Sequence, residues 1–353
     1  MKKKQLIVII ACCAAILAGV IFYFLRRTPE PRKYKVKKTE LTALKKNIDI
    51  KIHPYTTDLY ALDTSDLAAG VEKLSEIYPE YLIQKDIWKN EMMMRSLKAY
   101  LTDPLMREIY DDAVKIFPNL DEQEAELVEA LSYYKHYFPE AEIPEFYALV
   151  PGLDFEMPSV FAYENNIFIY LDQYLGADNK KYQQIALPVY IRERCDKKYL
   201  AIDCFKKALV YKHLPEKTLV SLLDNMIYEG KKLYFTELMF PNRTENDIIG
   251  YSQEKYSWAM QYQPEIWNYL IEKQLLFSKD ADSKRKFIEE APFTKPFSNV
   301  SPGRLGTFIG WKIVQGYMEN NPDVTISDML QNTDSQDILN KSNYMPLKTK
   351  HIN

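Results

Sequence analysis

One segment constrains the fold more than any other: residues 216–239 are expected to form a single long helix. Glu229 and Gly230 make a Glu-Gly step near its centre. Glycine costs a helix interior roughly 1 kcal/mol relative to alanine, so we expect Gly230 to pack closely against a neighbouring helix or sheet. The apolar residues fall on one stripe, which predicts one buried helix face. That stripe consists of Leu219, Leu222, Leu223, Met226, Ile227, Gly230 and Leu233.

The composition indicates an ordered domain with an acidic body. The chain has 353 residues, of which 47% are hydrophobic, and it contains only 10 glycines against 27 tyrosines. This excludes a disordered protein and allows a substantial core. The net charge is −3 and residues 1–27 carry +5, so the remainder carries −8 (−3 less 5). An acidic body without a basic stripe argues against nucleic acid as a partner.

The uncharged stretch of residues 6–25 begins at Leu6 and ends at Leu25. A helix of that length spans about 30 Å, the hydrocarbon thickness of a bilayer. We therefore predict that residues 1–27 form a signal anchor with one transmembrane helix, which makes the membrane a partner. The alternative is a bacterial lipoprotein, because Ala11 precedes Cys12 in the loose pattern of a lipoprotein cleavage site. In that case Cys12 carries the lipid.

The charges that flank this stretch give conflicting predictions of orientation. Residues 26–38 carry more lysine and arginine than residues 2–4, and the positive-inside tendency alone would place the body in the cytoplasm. A start with three lysines is instead typical of an exported bacterial chain. The charges alone leave both orientations open.

Beyond the anchor, the sequence predicts a linker, one domain and a short tail. Residues 28–45 are charged and contain Pro29 and Pro31, which indicates a juxtamembrane linker. Residues 46–347 are predicted to form a single domain, and residues 348–353 a C-terminal tail.

The body is predicted to be α+β and predominantly helical. Alternating isoleucines predict a strand over residues 48–53, and a short extended piece is expected at 59–62. Apolar runs at 146–150 and 167–171, with a tight turn at Asn165-Asn166, predict one small mid-chain sheet that includes a hairpin. Helices are predicted over residues 65–78, 86–116 with a break near Pro104, 121–137, 180–194, 199–213, 216–239, 263–277 and 302–319.

The sequence lacks the motifs of the common catalytic sites. None of its four histidines has a second histidine four residues along, and there is no Gly-x-Ser-x-Gly elbow or phosphate-binding glycine loop. Cys195 and Cys204 are predicted to be free thiols, because their spacing fits neither a disulfide framework nor a zinc site. His213 is predicted to be an ordinary histidine at a helix end, where a cationic side chain is favoured. We therefore predict no catalytic residue, no bound metal and no cofactor.

Glu229 has the most specific alternative roles. A carboxylate at this position could ligate a metal or act as an acid or base. A catalytic zinc site normally needs three protein ligands, so without a histidine pair a solvent-facing or hydrogen-bonded helix glutamate is favoured. Glu229, Gly230 and His213 stay as candidates for a vestigial site.

Five segments lie between residues 145 and 347: Pro158-Ser159-Val160 with residues 167–176, residues 187–191, the Glu-Gly helix over 223–235, residues 306–314 and residues 338–344. In their order and spacing they resemble the gliding-motility lipoprotein GldB family of Bacteroidota. The resemblance implies a cell-envelope protein linked to gliding motility, held at the inner membrane with its body in the periplasm and with envelope proteins as partners.

The GldB family is similar in turn to a group of predicted zinc peptidases. In that group a helix with Glu-Gly and then Tyr-Phe carries the third zinc ligand, and a His-Glu-x-x-His helix before it carries the other two. Here Glu229-Gly230 and Tyr234-Phe235 are present, but the preceding helix at 199–213 holds no histidine pair and no glutamate. The resemblance therefore implies a zincin-like body without protease chemistry, because no zinc-activated water can form.

Three functions follow as hypotheses. The first is a membrane-anchored, non-catalytic envelope protein that acts through protein–protein contacts. The second is a hydrolase with a remodelled site, which requires Glu229 at the floor of a cleft. The third is a binding module that keeps a protease-like cleft for a peptide or glycan, which requires an open groove lined by aromatic side chains.

Overall fold

The computed structural model describes residues 36–346, and one four-stranded sheet lies within them. Strands β1, β2 and β4 run parallel, whereas β3 and β4 form an antiparallel hairpin, which confirms the predicted hairpin. Glu164 takes a left-handed conformation (φ 53°) in the turn between them. The strands are β1 (Ile52–His53), β2 (Glu145–Leu149), β3 (Val160–Tyr163) and β4 (Asn166–Tyr170), in the order β1-β2-β4-β3.

The two faces of the sheet differ in chemistry. One carries a row of rings across all four strands. In that row Tyr147 lies 5.2 Å from His53 and 5.5 Å from Phe168, and Phe168 lies 5.1 Å from Phe161, between ring centroids. Strand registry places the next set of side chains on the opposite face, which is buried in the core. That set comprises Ile52, Phe146, Ala148, Ile167 and Ile169.

Helices make up most of the described residues. By the contacts between their Cα atoms, residues 36–40 and residues 41–346 belong to two separate units. Helix α1 overlaps the end of the linker predicted at residues 28–45. The helices are α1 (Lys38–Lys46), α2 (Tyr55–Tyr60), α3 (Leu67–Leu74), α4 (Glu91–Thr102), α5 (Pro104–Ile116), α6 (Asp121–Tyr137), α7 (Lys180–Gln184), α8 (Val189–Arg192), α9 (Leu200–Lys207), α10 (Leu222–Met239), α11 (Glu245–Ile249), α12 (Gln253–Gln261), α13 (Gln263–Glu272), α14 (Ala281–Phe287), α15 (Leu305–Asn320), α16 (Ile326–Gln331) and α17 (Ser335–Ser342).

Helix α10 is the Glu-Gly helix, and a capping box fixes its start. The Asp224 N–H donates to Ser221 Oγ at 3.1 Å, and the Ser221 N–H donates to Asp224 Oδ2 at 3.0 Å. These bonds satisfy two of the free donors at a helix N-terminus. The helix therefore begins at Leu222 rather than at the predicted residue 216, and it ends at Met239.

Helices α10 and α15 cross at two glycines. A Cβ on Gly230 would lie 2.4 Å from the carbonyl carbon and oxygen of Gly310. A Cβ on Gly310 would lie 1.8 Å from the carbonyl oxygen of Met226. The two backbones therefore touch, which is the close packing expected of Gly230. Beside the crossing, the buried Trp311 donates from Nε1 to Glu237 Oε2 at 2.8 Å.

The local predictions differ in outcome. The helix predicted over 121–137 is confirmed as α6, and the break near Pro104 is confirmed because Asp103 ends α4 and caps α5. The extended piece predicted at 59–62 is wrong, since it overlaps α2. The helix predicted over 180–194 is also wrong. It is interrupted between α7 and α8, where Pro188 removes a backbone donor.

The predicted fold class requires correction. Residues 36–346 form a predominantly helical α+β structure with a four-stranded sheet, and no helix among them is long and apolar enough to cross a membrane. The predicted transmembrane stretch, Leu6 to Leu25, lies outside the described residues. The sheet is not confined to the middle of the chain, because β1 joins it by a long-range parallel pairing that local pattern does not encode. The expected fold class, a zincin-like body together with a transmembrane helix, is therefore wrong.

Candidate functional site: an open groove beside the Glu-Gly helix

His213 is held between aromatic side chains. It follows a 3₁₀ turn (Leu209–Lys212), stacks on Phe138 with ring centroids 3.9 Å apart, and places Nε2 2.8 Å from the Tyr134 hydroxyl. Burial, together with the Lys212 charge, lowers the pKa of His213 to about 4. The residue lies at the end of a helical turn as expected. It is neutral near pH 7, however, so the cationic contact expected there does not form.

Glu229 is paired within its own helix. Its Oε1 lies 3.0 Å from Lys232 Nζ, and its side chain is 29% exposed. The same Nζ lies 5.1 Å from the centre of the Tyr211 ring and 5.8 Å from that of Tyr228. Glu229 itself does not line the depressions beside α10. The hydrolase hypothesis required it at the floor of a cleft, and this position does not meet that requirement.

The three vestigial-site candidates do not form one ligand set. His213 contacts Tyr134, Glu229 contacts Lys232, and Gly230 is occupied by the crossing with α15. Within residues 36–346, no three His, Cys, Asp or Glu side chains are grouped so that they could hold a metal ion.

A separate polar cluster is buried around Asp203 on α9. Its Oδ2 accepts hydrogen bonds from Lys207 Nζ at 2.7 Å and Tyr174 Oη at 2.9 Å, and its Oδ1 lies 3.4 Å from Lys206 Nζ. Burial opposes ionisation of Asp203, but the ammonium groups of Lys207 and Lys206 outweigh it and hold the pKa well below its usual range. Asp203 is therefore the anion of a buried ion-pair cluster.

Cys195 and Cys204 are free thiols, as predicted. Both side chains are buried. Burial raises the pKa of Cys195 to about 12 and that of Cys204 well above its usual range. Because the thiolate is the nucleophilic form, neither cysteine provides a reactive sulfur near pH 7.

A groove lies beside α10 and is lined by residues 211–221, one side of α10 and residues 330–336. The groove consists of two depressions, with volumes of about 650 and 440 Å³. Lys217 contributes to the lining of both depressions. Between them, a cleft of about 20 Å³ reaches Lys231. Together these surfaces are the groove of residues 211–221.

A polar network fixes the centre of the groove. Asp224 Oδ1 lies 2.8 Å from Lys217 Nζ and accepts the Ser335 hydroxyl at 2.7 Å, while Oδ2 accepts the Ser221 N–H. Burial opposes ionisation of Asp224, but the bonds from Lys217, Ser221 and Ser335 hold its pKa well below its usual range. The network joins the start of α17 and the segment before α10 to α10 itself, so the groove is preformed.

Lys231 links α10 to residues 330–332. Its Nζ donates to the carbonyl oxygens of Leu330 at 3.1 Å and Asn332 at 2.5 Å. Burial, with the nearby Lys217 charge, lowers the pKa of Lys231 to about 8. The Lys231 amine is therefore engaged by backbone carbonyl oxygens and is not free in the groove.

Exposed aromatic side chains lie on the rims of the groove. Tyr211 lines the larger depression and is 46% exposed, and Phe277 lines the other and is 56% exposed. Aromatic side chains are enriched at protein–protein interfaces. An open groove of this kind is what the binding-module hypothesis required.

Sequence reasoning did not single out Lys217, Asp224 or Tyr211. The Ser221-x-x-Asp224 spacing was the one local signal, since it marks a helix start. The contacts of Lys217 with Thr333 and Ser335 join residues 116 and 118 positions apart, which no local pattern shows.

Comparison with known families identifies the relationship of the chain. The model of one family, described as gliding motility protein GldB, matches residues 36–346. No curated protein and no solved structure matches the chain significantly, so the expected relation to zinc peptidases has no support here. The family match covers nearly all of the chain and the whole of the described structure. The chain therefore belongs to the gliding motility protein GldB family.

Proposed function

We propose that this chain is a non-catalytic gliding-motility lipoprotein of the bacterial cell envelope, and that it binds an extended segment of a partner envelope protein in the groove of residues 211–221. Family membership supports the link to gliding motility and to a lipoprotein. The observation that carries the binding role is the pairing of exposed Tyr211 and Phe277 with a groove centre whose polar groups already have partners.

The chemistry of the groove suits contact better than turnover. Asp224 and Lys217 are engaged with each other and with Ser335, so neither is a free acid or base. Exposed rings at the rims gain binding free energy by leaving water, at roughly 25 cal/mol per Å² of apolar surface buried. A hydrolase built on Glu229 has less support, because Lys232 holds that carboxylate.

The anchoring part of the proposal concerns Cys12. We propose that Cys12 carries the lipid and holds the body at the periplasmic side of the membrane. Metabolic labelling with a fatty acid, followed by mass analysis of the mature N-terminus, tests this. Cys12→Ala should lose the lipid while Cys13→Ala, its matched control, keeps it. Equal labelling of the two variants would rule out Cys12 as the site.

The binding part is tested by photo-crosslinking in cells. A benzoyl-phenylalanine replaces Tyr211 in the groove or, as a control, Tyr163, which is similarly exposed on the sheet. We expect a discrete adduct from position 211 only, mapping to one extended segment of a partner. A synthetic peptide of that segment should then bind the wild-type protein and lose at least tenfold in affinity for Tyr211→Ala. Matching adducts from both positions, or equal peptide affinities, would contradict the proposal.

A glycan is the alternative ligand, because aromatic faces can also bind sugar rings. The same protein can be titrated with soluble envelope glycan fragments. Saturable glycan binding lost in Tyr211→Ala, without a protein adduct, would favour that alternative.

A further inference from the structure

A second cavity lies far from the groove in sequence, at one end of the sheet. It has a volume of about 270 Å³ and is lined by residues that follow β1, β2 and β4, namely Pro54, Val150 and Leu171. These three strands are parallel, so their carboxyl ends meet at this edge. In open sheets with parallel strands, the crevice outside the carboxyl ends is where ligands bind.

The inner wall of the cavity is apolar and preformed. Val150 directs its N–H to the Thr56 hydroxyl at 2.9 Å, so the backbone donor at the strand end is already satisfied. An apolar ligand can therefore cover this wall without burying an unpaired polar group. The side chains that form it are Ile52, Ala113, Phe117, Ala148, Val150 and Leu171, all largely buried.

The mouth of the cavity carries the charge. Asp121 and Glu124, from the first turn of α6, line it together with Lys51. Glu124 Oε1 accepts the Ile52 N–H at 2.8 Å, which holds the carboxylate at the cavity. Among residues 36–346, Glu124 makes no ion pair with a lysine or arginine. Two carboxylates against one ammonium favour a cationic group at this mouth.

We propose that this cavity binds a small ligand with an apolar body and an amine head. The apolar body occupies the space between the sheet and α5–α6, and the ammonium group pairs with Glu124 at the mouth. A volume of 270 Å³ is near the lower end of the range for ligand sites, about 300 to 1,000 Å³, so the ligand is small. This site is independent of the proposed groove and of the partner bound there.

A homologous series of alkylamines tests the apolar part. Butylamine, pentylamine and hexylamine are titrated into the full-length protein by calorimetry. Because each buried methylene contributes about 0.8 kcal/mol, affinity should rise about three- to fourfold with each added carbon until the cavity is full. Absence of saturable binding, or affinity that does not depend on chain length, would overturn the proposal.

Two pairs of variants localise the binding. Val114→Trp places a large ring at the rim of the cavity and should abolish hexylamine binding, whereas Leu105→Trp, on the same helix but outside the cavity, should leave it intact. Both native side chains are exposed, so neither change disturbs the core. Equal binding by the two variants would show that the amine binds elsewhere.

The head-group preference tests the role of Glu124. Hexylamine should bind the wild type about tenfold more tightly than hexanol, because a charge-assisted hydrogen bond is stronger than a neutral one. Glu124→Gln keeps an acceptor for the Ile52 N–H and should remove that preference. Equal affinities of the two compounds for the wild type would contradict the assignment of an amine head.

Discussion

His213 illustrates what a single residue reveals only in the folded chain. Its place at the end of a helical turn could be predicted from the sequence, because Pro215 follows closely. Its neutrality could not, since the rings that bury it, Tyr134 and Phe138, lie more than 70 residues earlier in the chain. Glu229 shows the same limit, because its environment depends on how Lys232 and Tyr211 meet across two elements.

The neutral state of His213 predicts a specific acid sensitivity. Its folded pKa, about 4, lies below the unfolded value of 6.5, so the unfolded chain binds more protons between these values. Stability therefore falls as pH drops from above 6.5 towards 4, by on the order of 2 kcal/mol after allowance for partial exposure. Urea unfolding at pH 7 and pH 4.5 should show a smaller acid loss for His213→Phe than for the wild type. Equal losses would contradict this account.

Asp203 predicts a large cost for one removed charge. Asp203→Asn leaves the buried Lys206 and the partly buried Lys207 without their carboxylate. Breaking a buried ion pair on one side typically costs about 3 to 5 kcal/mol, and we expect a loss of that order in denaturant unfolding. The matched control is Asp282→Asn, which removes an exposed carboxylate with two basic neighbours and should leave stability nearly unchanged. If Asp203→Asn lost as little unfolding free energy as Asp282→Asn, the Asp203 cluster would not stabilise the fold.

At the scale of elements, the crossing of α10 and α15 organises the helical part. The sequence predicted that Gly230 needs a close neighbour, because glycine is otherwise costly in a helix. It did not identify Gly310 as that neighbour, since pairing of helices 80 residues apart depends on tertiary packing. In the sheet, the hairpin of β3 and β4 was predictable from local turn chemistry, whereas the parallel pairing of β1 with β2 was not.

The crossing predicts a strong response to one methyl group. In Gly310→Ala the new Cβ would lie 1.8 Å from the Met226 carbonyl oxygen, which is backbone and cannot rotate away. The helices must separate, and we expect a loss of about 3 kcal/mol in thermal or denaturant unfolding. Gly70→Ala is the control, because its nearest neighbour is the Leu62 side chain, which can move. Comparable stability of the two variants would contradict direct backbone contact.

At the scale of the whole molecule, the groove exists only because distant parts of the chain meet. Tyr211 and Lys217 come from the segment before α10, and Asp224 comes from α10 itself. Phe277 lies in the turn after α13, and Ser335 is the first residue of α17. The sequence indicated the class of protein through family segments, and it indicated α10 through its periodicity. The sequence could not indicate the groove, because its walls come from separate segments. Only the contacts of Lys217 and Ser335 with Asp224 bring these segments together.

The central claim is that this chain acts by contact through the groove and not by catalysis at Glu229. The most direct test is cell gliding after chromosomal replacement with Tyr211→Ala, Glu229→Gln or the control Tyr163→Ala, each checked for unchanged protein level. We predict that Tyr211→Ala loses most of the gliding movement, whereas Glu229→Gln and Tyr163→Ala keep it. Loss of gliding in Glu229→Gln with normal gliding in Tyr211→Ala would contradict the claim.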